Sequence, residues 1–148
     1  MEVTLRAAQA GDRRAVAAVF GAARDAALPF LAVVHTPAQD VAYFGGLVDR
    51  GGVTVAVAGD EVTGFLAACP GRVEHLYVGP RHWRSRIGSR LLRVAQDAQP
   101  DGLQLWVFQR NAAAIAFYER HGFATVEQTE GHGNEEREPD ARMVWPGR

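Results

Sequence analysis

Between Arg72 and Phe108 the spacing of apolar residues changes twice, and that change leaves the chain few folds to choose from. Arg72–Val78 reads as a strand. Ser85–Gln99 then sets Ile87, Leu91, Val94, Ala95 and Ala98 on one helical stripe, and Leu103–Phe108 returns to strand spacing. Strand, helix and strand over this length make a βαβ unit with parallel strands and a right-handed crossover. That crossover sets the helix N-terminus at the C-terminal end of the Arg72 strand, where open α/β sheets take their ligands.

The flanking segments fill out a mixed sheet. Val3–Ala7 alternates as a first strand, and Asp12 is placed to cap a helix with Val16, Val19, Phe20 and Ala23 on its buried face. The apolar run Leu28–Val34, broken by Pro29, leads to a second helix over Pro37–Asp49 that turns Val41, Phe44, Leu47 and Val48 inward and ends at Gly51-Gly52. Val53–Ala58 and Val62–Cys69 pair through Gly59-Asp60-Glu61 as a hairpin. Asn111 caps a helix over Ala112–His121 that Gly122 stops, and Phe123–Glu130 and Arg142–Trp145 supply the last two strands. The fold class is α/β, with a central sheet of about seven strands and about four helices. The C-terminal strand is the expected edge for pairing in a homodimer.

At 148 residues the chain is one domain, 1–148, with a single core. No apolar run approaches the ~20 residues of a membrane span, and the opening Glu2, Thr4 and Arg6 do not read as a leader. Cys69 is the one cysteine, set in an apolar run as a small buried filler, so a reducing cytoplasm fits. A net charge of −1 gives no general attraction to nucleic acid or membrane. The charge is nonetheless sorted along the chain: Arg81, Arg84, Arg86, Arg90 and Arg93 crowd the turn and helix after the Arg72 strand, and Glu127, Glu130, Glu135, Glu136, Glu138 and Asp140 crowd the C-terminal segment. All 16 basic residues are arginine, so no side-chain amine is present to be acylated.

A turn that opens a helix presents unpaired N–H groups and a partial positive charge, which suits phosphate. Arg84–Ser89 is such a turn, within L-Y-V-G-P-R-H-W-R-S-R-I-G-S-R-L-L over Leu76–Leu92. Downstream, N-A-A-A-I-A-F-Y-E-R-H-G-F over Asn111–Phe123 follows a strand and places one tyrosine near the end of a helix. These two motifs, in this order, resemble the signatures of the GNAT family of N-acetyltransferases, in register over about residues 50–145 and by pattern alone before that.

The resemblance implies a splayed parallel strand pair, acetyl-CoA as co-substrate, no metal, and an amine acceptor that attacks the thioester directly. It implies that amides of Arg84, Ser85, Arg86, Ile87, Gly88 and Ser89 hold the pyrophosphate, that main chain at Leu76, Tyr77 and Val78 pairs with pantetheine and the acyl carbonyl, and that Asn111 and Phe117 border the cofactor. Tyr118 then protonates the leaving thiolate; a core aromatic is the alternative role. A base must also neutralise the amine, and Glu74 and His75 are the candidates. Glu74 matches a family glutamate, and strand alternation puts it with Leu76 and Val78 on one face and His75 with Tyr77 on the other, so that only one of the two can meet the amine. Two positions depart from the family pattern, Trp83 standing for Gln or Arg and Arg86 for the first glycine. Arginine adds a Cβ where backbone must approach phosphate, but its guanidinium is itself a phosphate ligand.

Acceptor choice falls to Ala26–Phe44 and Gly131–Asp140, whose carboxylates suit a cationic or polyamine-like amine; a solvated loop would read the same. A CoA-binding regulatory module without turnover, or an interaction domain on the same fold, are the competing readings. No G-x-G-x-x-G follows a strand, which argues against a nicotinamide enzyme.

Overall fold

The computed structural model describes residues 2–148. Its elements are, in chain order, β1 (Thr4–Ala7), α1 (Arg13–Ala27), α2 (Pro37–Arg50), β2 (Val53–Ala58), β3 (Glu61–Cys69), β4 (Arg72–Val78), α3 (Ile87–Ala98), β5 (Leu103–Phe108), α4 (Ala112–Arg120), β6 (Ala124–Gln128) and β7 (Asp140–Trp145). The strands form one seven-stranded sheet in the order β1-β2-β3-β4-β5-β7-β6. Every join is antiparallel except β4 to β5, which is parallel.

That one parallel join is short. Arg72 stands opposite Gln104, and the Gln104 N–H donates to the Gly71 carbonyl at 2.9 Å; beyond this point no ladder links β4 to β5. The strands part toward their C-terminal ends and leave a V-shaped gap in the middle of the sheet. Different helices hold the two faces. The α3 stripe Ile87, Leu91, Leu92 and Ala95 packs with Val73, Leu105 and Met143 in one core, and Val16, Val19, Phe44, Leu47 and Val48 of α1 and α2 pack on Val55 and Phe65 in the other.

Local chemistry accounts for the departures from the sequence reading. Helix α3 starts at Ile87 because Arg84 and Arg86 take φ of 66° and 67°, which no right-handed helix accommodates. Asp12 does not cap α1; its carboxylate takes two bonds from the Arg6 guanidinium, at 2.8 and 3.1 Å, and one from the Gln9 N–H at 2.7 Å. Capping holds where it was expected at Asn111, whose Oδ1 accepts from the Ala114 N–H at 3.2 Å, and a capping box at Thr36 and Gln39 starts α2 ahead of Pro37. Cys69 is half-buried at the end of β3. The C-terminal strand is not an edge: β6 doubles back outside β7, so β7 pairs on both sides and β1 and β6 form the margins.

The end of α4 is fixed against the sheet. Gly122 takes φ of 92°, and a Cβ there would lie 3.0 Å from Cδ1 of Trp145. The Phe123 N–H turns back to the Tyr118 carbonyl at 3.0 Å, and the Phe123 ring packs against that of Tyr118 with centroids 5.5 Å apart. Backbone strain and crowding therefore both oppose a side chain at 122. Replacing Gly122 by Ala should cost about 1–3 kcal/mol in urea unfolding, and an unchanged midpoint would contradict this view of the turn.

Candidate active site

The splay leaves backbone groups without partners. The Gly79 N–H donates to the Thr63 carbonyl at 2.7 Å, so Gly79 and, by alternation, Tyr77 direct their peptide groups to β3. Leu76 and Val78 direct theirs into the gap that β5 has vacated. Such an edge accepts an extended ligand as an added strand. The sequence reading grouped Tyr77 with these two, but its backbone faces β3 and its side chain lies on the α1–α2 side.

Three connected spaces follow the gap through the sheet. On the α3–α4 side is a cavity of about 670 Å³. It gathers Leu76, Val78, Arg84, Ser85, Arg86, Ile87, Gly88, Ser89, Asn111 and Phe117, residues the sequence assigned to a cofactor, together with Tyr118 and Trp83. Within the gap is a smaller space of about 220 Å³ that shares Tyr118, Asn111 and Leu76 with the first. On the α1–α2 side is a cavity of about 490 Å³ that shares Glu74, His75, Tyr77, Leu28 and Phe108 with the gap.

The first cavity is built for an anion. Ile87, Gly88 and Ser89 are the opening residues of α3, and their N–H groups have no partner within the helix. A Cβ on Gly88 would sit 3.4 Å from the Phe117 ring, so glycine keeps the α3–α4 seam narrow. Arg84 and Arg86 are exposed beside these amides. The Trp83 indole N–H donates to the Val78 carbonyl at 2.7 Å and occupies an acceptor on the open strand. His121, which the sequence reading passed over, ties the two helices. The Phe117 carbonyl can only accept, so the His121 Nδ1 at 2.8 Å carries the proton and Nε2 accepts from the Ser89 hydroxyl at 3.0 Å.

Tyr118 is 9% exposed, yet its hydroxyl makes no hydrogen bond and is not sealed in, since His82 Nε2 is the one buried and unpartnered side-chain polar atom among the described residues. Burial, with a smaller contribution from Tyr77, pushes the phenol well above its ordinary value. It stays protonated at neutral pH and faces the gap as a donor.

On the far side, β4 carries an irregularity. Ala67 pairs with His75 and Ala68 with Val73, which leaves Glu74 as an extra residue in a bulge. The bulge breaks the expected alternation, and both Glu74 and His75 line the gap and the α1–α2 cavity. Glu74 is clamped, bonded by Arg50 and 3.7 Å from an Arg72 nitrogen. His75 sits among Phe20, Tyr43, Phe44 and Tyr77, with centroids 5.2 to 6.4 Å away, and its Nε2 lies 2.8 Å from the Tyr43 hydroxyl. Burial depresses its pKa from 6.5 to about 4, outweighing the opposing pull of Glu74. Burial likewise pushes Tyr77 up to about 12.

The walls of this cavity carry the carboxylates of Asp40, Glu74, Glu135 and Glu136 against the cations of Arg24 and, when protonated, His35. Its cover is pinned at two places: His35 meets Glu135 at 2.6 Å, and Arg110 grips Glu138 with two bonds of 2.8 Å while stacking 3.6 Å over the Phe30 ring. The Arg110 bonds hold the Glu138 carboxyl below its usual range.

A sequence model of the acetyltransferase (GNAT) domain matches residues 49–125, more than half of the chain. The chain belongs to the GNAT acetyltransferase family. Among curated proteins it is 33% identical, over 87 residues, to the peptidyl-lysine N-acetyltransferase YiaC of Escherichia coli K12, a match that spans 58% of each chain. The apo solution structure of YjaB from Escherichia coli has the same fold, with a TM-score of 0.82 at 20% identity over the whole of both chains. The PaiA N-acetyltransferase of Thermoplasma acidophilum, solved in complex with coenzyme A, superposes with a TM-score of 0.73 at 17% identity over 99% of each chain. The GNAT match covers the open strand edge, the α3 turn and α4.

Tyr43 and His121 join this site without having been named from sequence, because their placement depends on register between distant elements. His75 gives a signed prediction. An unfolded histidine binds a proton below pH 6.5, whereas the folded one resists until about 4. Stability from this group is therefore complete above the unfolded value and lost as pH falls through 6.5 toward 4, by roughly 3 kcal/mol in all. Acid unfolding curves for the protein and a His75→Gln variant should diverge in that window; parallel curves would exclude the buried neutral imidazole.

Proposed function

We propose that the protein transfers the acetyl group of acetyl-CoA to a primary amine, with the cofactor entering on the α3–α4 side and the amine on the α1–α2 side. The observation that carries this reading is the continuity of the two cavities through the splay, with Tyr118 on one side of the gap and the Glu74–His75 bulge on the other. Family membership supports the reaction class.

In this reading the α3 amides of Ile87, Gly88 and Ser89, helped by Arg84, Ser85 and Arg86, take the CoA pyrophosphate. The open Leu76 peptide group and the Val78 N–H pair with the pantetheine arm, Phe117 and Asn111 border it, and the thioester comes to rest in the gap. The amine nitrogen attacks the carbonyl carbon, the C–S bond breaks, and Tyr118 gives its proton to the leaving sulfur. Its raised pKa keeps the phenol protonated until negative charge develops on sulfur. Glu74, bonded to Arg50, contributes negative charge to the acceptor side rather than a free lone pair.

The acceptor in this account is a cationic amine. Four carboxylates line its cavity, Asp40 and Glu136 make no ion pair among the described residues, and the rings of Phe20, Tyr43 and Tyr77 can flank an ammonium group. The similarity to a peptidyl-lysine N-acetyltransferase points the same way.

Two kinetic results are expected. Tyr118→Phe should lower kcat by about 10²- to 10⁴-fold while acetyl-CoA affinity, measured by calorimetry, stays within a factor of a few. A variant with unchanged kcat would return Tyr118 to the role of core aromatic. The double variant Asp40→Asn, Glu136→Gln should raise KM for an alkylammonium acceptor about tenfold or more and leave a neutral aromatic amine unaffected; equal effects on both would remove the case for a cationic acceptor.

A further inference from the structure

The acetyl-transfer reading leaves one step unassigned. An ammonium acceptor loses two protons as it becomes an amide. One replaces the proton that Tyr118 gives to sulfur, and the other must leave the cleft. Glu74 is poorly placed to carry it, because Arg50 and Arg72 already occupy its carboxylate.

We propose that His75 and Tyr43 form a proton relay from the acceptor nitrogen to bulk water. Strand alternation sets His75 on the same face as Tyr77, lining both the gap and the acceptor cavity, on the opposite side of the thioester position from Tyr118. Nothing bonds His75 Nδ1, and it is not among the sealed, unpartnered atoms of the described residues, so it opens onto the cleft. Nε2 is held 2.8 Å from the Tyr43 hydroxyl, and Tyr43 is 51% exposed. Both residues line the acceptor cavity, and Tyr43 is the more exposed of the two.

The step balances. The ammonium proton passes to Nδ1, the Nε2 proton passes to the Tyr43 oxygen, and the Tyr43 proton passes to water. Exchange with water restores the starting tautomer after the product leaves. The surroundings favour passage over storage. Phe20 and Phe44 pack on the imidazole, Glu74 and Arg72 flank it on β4, Arg50 neutralises Glu74, Tyr77 stacks beside it, and Arg24, His35, Glu135 and Glu136 line the same cavity without bonding it. Burial keeps the ring neutral between turnovers, so its lone pair is available across the physiological range.

The test compares an acceptor that must first lose a proton with one that need not: an alkylamine, ammonium at pH 7, and hydroxylamine, neutral at pH 7, whose uncatalysed reaction with acetyl-CoA is subtracted. His75→Gln should lower kcat for the alkylamine about 10²-fold at pH 7, with the deficit shrinking as pH rises toward the amine's own pKa. It should spare hydroxylamine and acetyl-CoA binding. Tyr43→Phe, a change at an exposed hydroxyl that leaves the ring in place, should show the same selectivity with a smaller loss, and it serves should the His75 variant not fold. Equal slowing with both acceptors at every pH, or no slowing with either, would overturn the relay. If the unaltered protein binds acetyl-CoA but acetylates neither amine, the acetyl-transfer reading fails and the relay with it.

Discussion

The whole site depends on β4 and β5 letting go of each other after a single pair, Arg72 with Gln104. A continuous parallel ladder would satisfy every peptide group along both strands and close the middle of the sheet. Separate cores cover the two faces of the parting strands, α3 and its neighbours on one and α1 with α2 on the other. The Leu76 peptide group and the Val78 N–H are left open, the Val78 carbonyl being taken by the Trp83 indole, and unpaired backbone at the centre of a domain has to find water or a ligand. In the proposed reaction the same opening would let acetyl-CoA and the amine meet from opposite faces, as direct transfer in a ternary complex needs.

Charge is divided in the same way as the cores. Helix α3 directs its N-terminal amides and a run of arginines to one entrance, and carboxylates from α2, β4 and the Gly131–Asp140 loop surround the other. This division suits an anionic cofactor at the first entrance and the proposed cationic amine at the second. The β4 bulge completes the division, because a regular strand would leave either Glu74 or His75 facing α3. With the bulge, one residue anchors an ion pair and the other keeps an open nitrogen.

Most of the fold was legible because it rests on local periodicity. The α3 stripe, the β2–β3 hairpin and the cap at Asn111 are short-range patterns; the hairpin and the cap stand where the sequence put them, and the stripe keeps Ile87, Leu91 and Ala95 but takes in Leu92 and leaves Ala98 exposed. The failures are long-range. Nothing local in Arg142–Trp145 says that β6 will fold outside it, so the C-terminal strand looked like an edge and is an interior one. The bulge was equally silent, since two-residue alternation carries no mark of an extra residue in the pairing. The left-handed backbone at Arg86 was half legible: the departure from glycine was visible, and the structure keeps a glycine-like φ of 67° with arginine in place. Tyr43 went unnoticed because it lies off the apolar face read for its helix, and only the fold sets it against His75.

The central claim, that the open edge of β4 and the α3 N-terminus receive acetyl-CoA, is tested most directly by following backbone amide resonances during an acetyl-CoA titration. The account predicts the largest shifts at Leu76, Val78, Ile87, Gly88 and Ser89, with Tyr77, whose N–H is turned to β3, shifting far less. Saturation with shifts of equal size along β4, or with shifts confined to β1 and β6, would contradict it.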